Sequence, residues 1–282
     1  MKQFDMVITE PWAINEVQIR ELQEAGVIVL GYIPTTSIDI AHPPFTGLED
    51  NDYVWIHKHK VINYNDISPD WIMDSSNPHY RQIVVNTIKE TIYDRGFDGV
   101  FLDTLNQAPE YLSCYVSLDP VSMDELTRLF LNGSMELCKE IRALDKTKIV
   151  VQNNGWRELV NFTAPYIDGL MWENYPYELG ESDYWLNQKR KNLIALSNKY
   201  HFKILTSSFI NQDDYNKVKD FYSISRSYGF IPYAAWTSGE LIYDNINTYD
   251  VPPRSKAPFP GVDKKHEWKL QSFLVDLSGP DN

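Results

Sequence analysis

Two stretches of the chain each end an apolar run in a carboxylate: FDGVFLDT at residues 97–104 and IDGLMWEN at 167–174. In both, Asp-Gly opens the run and an acidic side chain, Asp103 or Glu173, closes it five positions after the Asp. Two carboxyl groups set across an acetal can divide its cleavage, one protonating the leaving oxygen while the other attacks the anomeric carbon or activates water. At about 3.3 Å per residue, Asp98 and Asp168 belong at the opposite ends of the same strands. There they read as structural turn residues before Gly99 and Gly169.

Other chemistries have weaker support. His57 and His59 in IHKHK have the H-x-H spacing of metal hydrolases, but no His at a later strand end completes a shell. A solvated basic loop is the expectation there, with no metal and no other cofactor. Ser207 and Ser208 lack a G-x-S-x-G elbow and a His partner, and read as wall residues. Cys114 and Cys138 are the only cysteines. They could pair, but two thiols define neither a disulfide framework nor a zinc site.

The elements that must hold the carboxylates follow from periodicity. Eight apolar runs occur in order: MVIT, VIVLGYI, WIMD, GVFLD, KIVVQN, GLMWEN, KILTSSF and IPYAAWT. Continuous hydrophobicity marks strands buried on both faces, and their alternation with helical segments implies parallel pairing through right-handed crossovers. In SNPHYRQIVVNTIKETIYDRG, Asn77 is placed to cap, Pro78 to open and Gly96 to end a helix. Ser122 and Glu125 have capping-box spacing for a helix toward residue 144, and further helices are expected over 15–25, 183–200 and 213–228. A long loop with paired prolines and HKHK follows the second run. The tail VPPRSKAPFPG is extended, so the last helix is displaced, shortened or replaced by HEWKLQSFLVDL.

This pattern predicts an α/β fold of one domain, a (β/α)8 TIM barrel over residues 1–250, with a C-terminal extension over 251–282 packing on it. An open doubly wound sheet is the alternative, but no glycine-rich nucleotide fingerprint follows any strand. Barrels carry their sites where strands end, which selects Glu10, Tyr32, Asp74, Asp103, Asn153, Asn154, Glu173, Ser207 with Ser208, and Trp236 with Thr237. Asp103 ends the fourth run and Glu173 the sixth, so they approach one pocket from next-but-one strands. Tyr32, Asn153, Asn154, Trp172, Tyr175, Tyr177 and Trp236 are the expected substrate-binding set around them. Glu10 and Asp74 are placed to bind sugar hydroxyls or an amine, or to serve as structural hydrogen-bond partners. Lodged among Trp172, Tyr175 and Tyr177, Glu173 should have its pKa raised by desolvation.

Charge narrows the partners. With 26 basic against 39 acidic residues and a net charge of −13, the chain is a poor ligand for nucleic acid or other polyanions. No apolar run approaches the roughly 20 residues of a membrane span. A neutral or cationic ligand fits better, a monomer is expected, and a noncatalytic carbohydrate-binding barrel is the rival reading.

GFDGVFLDTLN, IDGLMWENY and the DWIMDSSNP segment ahead of the first of them resemble, in order over roughly residues 4–240, glycoside hydrolase family 114, the endo-α-1,4-polygalactosaminidase-like group. The resemblance implies a (β/α)8 barrel that is typically extracytoplasmic and cleaves polymers of α-1,4-linked galactosamine or N-acetylgalactosamine. It also implies that the paired acidic residues of that family fall on Asp103 and Glu173. By analogy with other retaining α-glycosidase barrels, Asp103 would be the nucleophile and Glu173 the general acid/base. After the second run this chain reads GYIPTTSIDIAH, without the family's usual Gly-Glu, so its contacts on that side of the cleft differ.

Overall fold

The computed structural model describes residues 1–41, 43–64, 69–177, 183–211, 214–236 and 270–276. Its centre is an eight-stranded sheet built from β1 (Met6–Thr9), β2 (Ile28–Pro34), β3 (Gly99–Asp103), β4 (Ile149–Asn153), β5 (Gly169–Trp172), β6 (Lys203–Ile210), β7 (Ile231–Trp236) and β8 (Phe273–Asp276). The strand order is β7-β6-β5-β4-β3-β2-β1-β8 and every neighbouring pair is parallel. At the seam the rings of Tyr233 in β7 and Phe273 in β8 lie 5.6 Å apart, bringing the two ends of the sheet together as a TIM barrel.

Two runs exchange roles relative to the sequence expectation. WIMD is not a barrel strand: Pro69–Ile72 pairs antiparallel with Ser37–Asp39 and Ile62–Tyr64 in a separate three-stranded sheet. Its half-buried pattern suits a sheet with one covered face, whereas barrel strands need both faces apolar. The eighth barrel strand is instead FLVD, which pairs with β1 from Met6–Phe273 to Thr9–Asp276. The segment expected as an extension and a last helix therefore carries a barrel strand, and the boundary placed at residue 250 lies outside the described residues. GVFLD becomes the third barrel strand and GLMW the fifth, still next but one to each other.

The flanking helices are α1 (Glu16–Glu24), α2 (Pro78–Ile88), α3 (Gln107–Tyr115), α4 (Pro120–Leu144), α5 (Val160–Thr163), α6 (Asp183–Tyr200) and α7 (Tyr215–Ser227). Asn77 caps α2 by accepting the His79 N–H at 3.0 Å, and α2 runs on as a π-helical turn through Lys89–Tyr93. α4 starts earlier than the Ser122 signal, because Asp119 is the cap and accepts both the N–H and the hydroxyl of Ser122. The short helices α3 and α5 have no counterpart in the sequence expectation. Cys114 and Cys138 are both free, so the possible disulfide is absent.

An aspartate stands just before three alternate strands and fixes their register. The Asp98 carboxylate accepts the Val29 N–H at 2.9 Å, while its backbone bonds Val29 on one side and Ile149 on the other. Asp168 repeats this one pair further round: it accepts Val150 N–H at 2.8 Å and the Arg142 guanidinium at 2.5 Å, and its backbone bonds Val150 and Lys203. Asp5 does the same before β1, accepting the N–H groups of Gln271 and Ser272 at 2.9 and 3.1 Å while its carbonyl takes Ile28 N–H. Gly99 follows its clamp because a Cβ there would lie 2.1 Å from the Ile149 carbonyl oxygen. Replacing Asp98 by Ala leaves the Val29 N–H without its acceptor, so the urea midpoint should fall by the equivalent of about 1 to 3 kcal/mol. An unchanged midpoint would show that the clamp does not set stability.

Candidate active site

Each clamped strand ends in an acid five residues later: Asp5 to Glu10, Asp98 to Asp103 and Asp168 to Glu173. Side chains alternate along a strand, and the bonds show which face is which. Gln152 and Thr206 point out to α5 and α7, bonding Thr163 at 2.6 Å and Ser225 at 3.0 Å. The opposite parity, carrying Glu10, Tyr32, Asp103, Asn153, Glu173 and Ser207, faces the barrel axis.

Asp103 accepts three hydrogen bonds: from the Tyr32 hydroxyl at 2.7 Å, from Asn153 Nδ2 at 2.7 Å and from the Thr104 N–H at 2.7 Å. Glu173 is gripped twice by Asn154, whose Nδ2 donates to Oε2 at 2.7 Å and whose Oδ1 accepts the Glu173 N–H at 3.1 Å. The residues leaving β3, β4 and β5 share a left-handed turn, with φ of 57° at Thr104, 53° at Asn154 and 58° at Asn174. That conformation is uncommon for non-glycine residues and costly for a β-branched one. Thr104 is compensated by its hydroxyl, which accepts the N–H groups of Thr35, Thr36 and Ser37 at 3.0 to 3.2 Å and ties the end of β3 to the chain leaving β2.

The titration of the site follows from this crowding. Burial, with the negative charge of Asp103 added, pushes Glu173 up to about 7 against the opposing amides of Asn154 and Asn153. The same two causes push Glu10 up to about 8, and its Oε2 is buried with no hydrogen-bond partner among the described residues. Tyr32 is driven well above its ordinary value by burial and then by the charges of Asp103, Glu10 and Glu173, so all four groups share one field.

The expected binding set divides. Tyr32, Asn153 and Asn154 lie in the site, and they hold the two carboxylates. Trp172 and Tyr175 have no exposed surface and pack into an aromatic cluster, Trp172 4.4 Å from Trp156 and 4.8 Å from Tyr175. Neither can offer a face to a sugar. Tyr177 is exposed, with the Lys217 ammonium 4.7 Å over its ring. Asp74 turns toward Ser76, accepting its N–H and hydroxyl, and lines a separate cleft beside α2. Trp236 ends β7; its side chain and Thr237 lie outside the described residues. Ser207 and Ser208 are buried in β6 as wall residues. His57 and Lys58 form the left-handed turn of the hairpin Trp55–Ile56/His59–Lys60. Among the described residues no three His, Cys, Asp or Glu side chains are grouped to hold a metal, and no helix is long and apolar enough to cross a membrane.

A parallel barrel with paired carboxylates at its strand ends is an architecture that glycoside hydrolases use. A family model described as hypothetical glycosyl hydrolase family 15 matches residues 35–228, and the chain belongs to that family. The glycoside hydrolase domain of PelA from Pseudomonas aeruginosa shares the fold with a TM-score of 0.64 at 16% identity, over 84% of this chain and 88% of that one. Ega3 of Aspergillus fumigatus, solved in complex with galactosamine, gives 0.59 at 14% identity over 82% and 83%. An uncharacterised protein of Thermotoga maritima is 23% identical over 262 residues, 84% of this chain and 74% of its own length. The (β/α)8 glycoside hydrolase barrel that the strand motifs suggested agrees with the family model, and its fold with these structures.

Because Glu10 and Glu173 are raised from 4.5 to about 8 and about 7, the folded chain binds more protons than the unfolded chain between those values. Their contribution is complete below about 4.5 and is lost as pH rises through about 7 and 8. Thermal midpoints should therefore fall from about pH 5 to about pH 8.5. Glu10→Gln, which has no charge to bury, should flatten the upper part of that fall. An unchanged slope would mean that Glu10 does not ionise in this window.

Proposed function

We propose that the chain hydrolyses an α-linked, amino-sugar-containing polysaccharide of the galactosamine or N-acetylgalactosamine class, with retention. Asp103 is the nucleophile and Glu173 the general acid/base. The carrying observation is the contrast between two neighbouring carboxyl groups. Asp103 accepts three hydrogen bonds as an acceptor-only group does, whereas burial beside that charge raises Glu173 to about 7. In the first step the Glu173 proton passes to the glycosidic oxygen as its bond to the anomeric carbon breaks and an Asp103 oxygen bonds that carbon. In the second, Glu173 takes a proton from water, whose oxygen displaces Asp103.

Tyr32 and Asn153 hold Asp103 in line, Asn154 aims Glu173, and Glu10 faces the same space to receive a sugar hydroxyl or amine. The galactosamine in the Ega3 complex favours an amino-sugar unit. We place the enzyme outside the cytoplasm, acting as a monomer on polysaccharide or oligosaccharide.

The test is reducing-end release from α-linked galactosamine, N-acetylgalactosamine and neutral polysaccharides. Asp103→Asn and Glu173→Gln should each lose roughly 10² to 10⁴ in rate. The wild-type kcat/KM should fall as pH rises through about 7, where Glu173 gives up the proton it must donate. Full activity in either variant would remove that residue from the mechanism. Glycan binding without release would make the chain a carbohydrate-binding barrel.

A further inference from the structure

The connection from β2 to α2 builds a second cleft, of about 470 Å³, that no step of the mechanism uses. Right-handed crossovers start each helix on the rim where the strands end. The cleft, which includes Asn77 and His79 at the head of α2, therefore opens on the same face as Asp103 and Glu173.

Behind its lining, bonded to three of the lining residues, lies one fully buried carboxylate. Asp52 accepts the Glu49 N–H at 2.7 Å, Asn77 Nδ2 at 3.0 Å and His79 Nδ1 at 2.9 Å. The bond to Asp52 raises the His79 pKa. Burying a charge with its partners gains little stability over an apolar replacement, so what this arrangement supplies is a fixed rim. Trp55, 44% exposed, is held in the same way. Its Nε1 donates to the Asp50 carbonyl at 2.6 Å, and Lys60, paired with Asp50 at 2.9 Å, sits over the rings of Trp55 and Tyr53. A large aromatic surface left in water with its orientation already fixed is a preorganised platform. Beside it stand the acceptors Glu49 and Asp74 and the amide of Asn51. An apolar face ringed by hydrogen-bonding groups, two of them the carboxylates Glu49 and Asp74, matches the C–H face, hydroxyls and amine of a pyranose.

We propose that this cleft is a distal sugar-binding subsite, in which Trp55 stacks on a unit of the glycan chain remote from the bond being cleaved. The proposal rests on the glycosidase reading, and it adds that the enzyme engages chains longer than the cleaved linkage spans.

Binding is measured by calorimetry in the Asp103→Asn background, where no turnover intervenes, using galactosamine disaccharide and longer galactosamine oligosaccharides. The longer chain should bind more tightly than the disaccharide. Adding Trp55→Ala should cut that length-dependent gain about tenfold, the worth of one stacking contact, and Asp74→Asn should reduce it in the same direction. If the oligosaccharides bind but the gain is the same with and without Trp55, the subsite is refuted while the catalytic reading stands. If Asp103→Asn binds none of these sugars and the wild type releases no reducing ends from them, the amino-sugar reading fails and the subsite fails with it.

Discussion

Register is the constraint on which this structure depends. In a strand whose side chains alternate between barrel axis and helices, a slip of one residue would turn every functional side chain away from the pocket. The chain prevents that slip at the far end of the strands, where Asp98 and Asp168 each accept an N–H of an adjacent strand and Asp5 accepts two from the residues leading into β8. The Asp-to-acid spacing of five is odd, so when the clamp lies along the sheet edge the acid at the other end is committed to one face. Glu10, Asp103 and Glu173 therefore converge because three alternate strands obey one rule.

Much of this was legible in the sequence, and the omissions have physical causes. Two copies of the Asp-to-acid pattern stood out because both carry Asp-Gly; the third, FDMVITE, has Met6 where the others have glycine. That glycine is demanded by the approach of Ile149 to Gly99, a contact that sequence spacing does not reveal. Seven of the eight apolar runs are barrel strands, but WIMD and FLVD are both four-residue runs, and only pairing partners decide which enters the barrel. The local turn at Thr104 gives no propensity signal, because Thr is held left-handed by tertiary hydrogen bonds rather than by its own preference, whereas Asn154 and Asn174 are of a type that visits this region.

The aromatic residues teach the opposite lesson. Trp172 adjoins Glu173, and in an alternating strand neighbours cannot share a face. If Glu173 faces the axis, Trp172 must face the helices, where it stacks on Trp156. Parity thus outranks proximity in sequence. It also explains how Tyr32 comes to serve Asp103: the register pairs Tyr32 with Phe101 and Pro34 with Asp103, so the hydroxyl reaches up one pleat to the carboxylate on the adjoining strand.

The two rims of the barrel divide opposed physical demands. On the lower rim each clamping carboxylate is matched by N–H groups, with the Arg142 guanidinium added at Asp168, and such satisfied bonds contribute stability. On the upper rim Glu10 keeps a buried oxygen without a partner, Glu173 is pushed toward neutrality, and three non-glycine residues sit in left-handed conformations. Each of those features costs folding free energy. A barrel can sustain that asymmetry because its strands are continuous from one rim to the other. Register fixed at the rim where the aspartates clamp the neighbouring chain is transmitted, residue by residue, to the rim where Glu10 keeps an unpartnered oxygen.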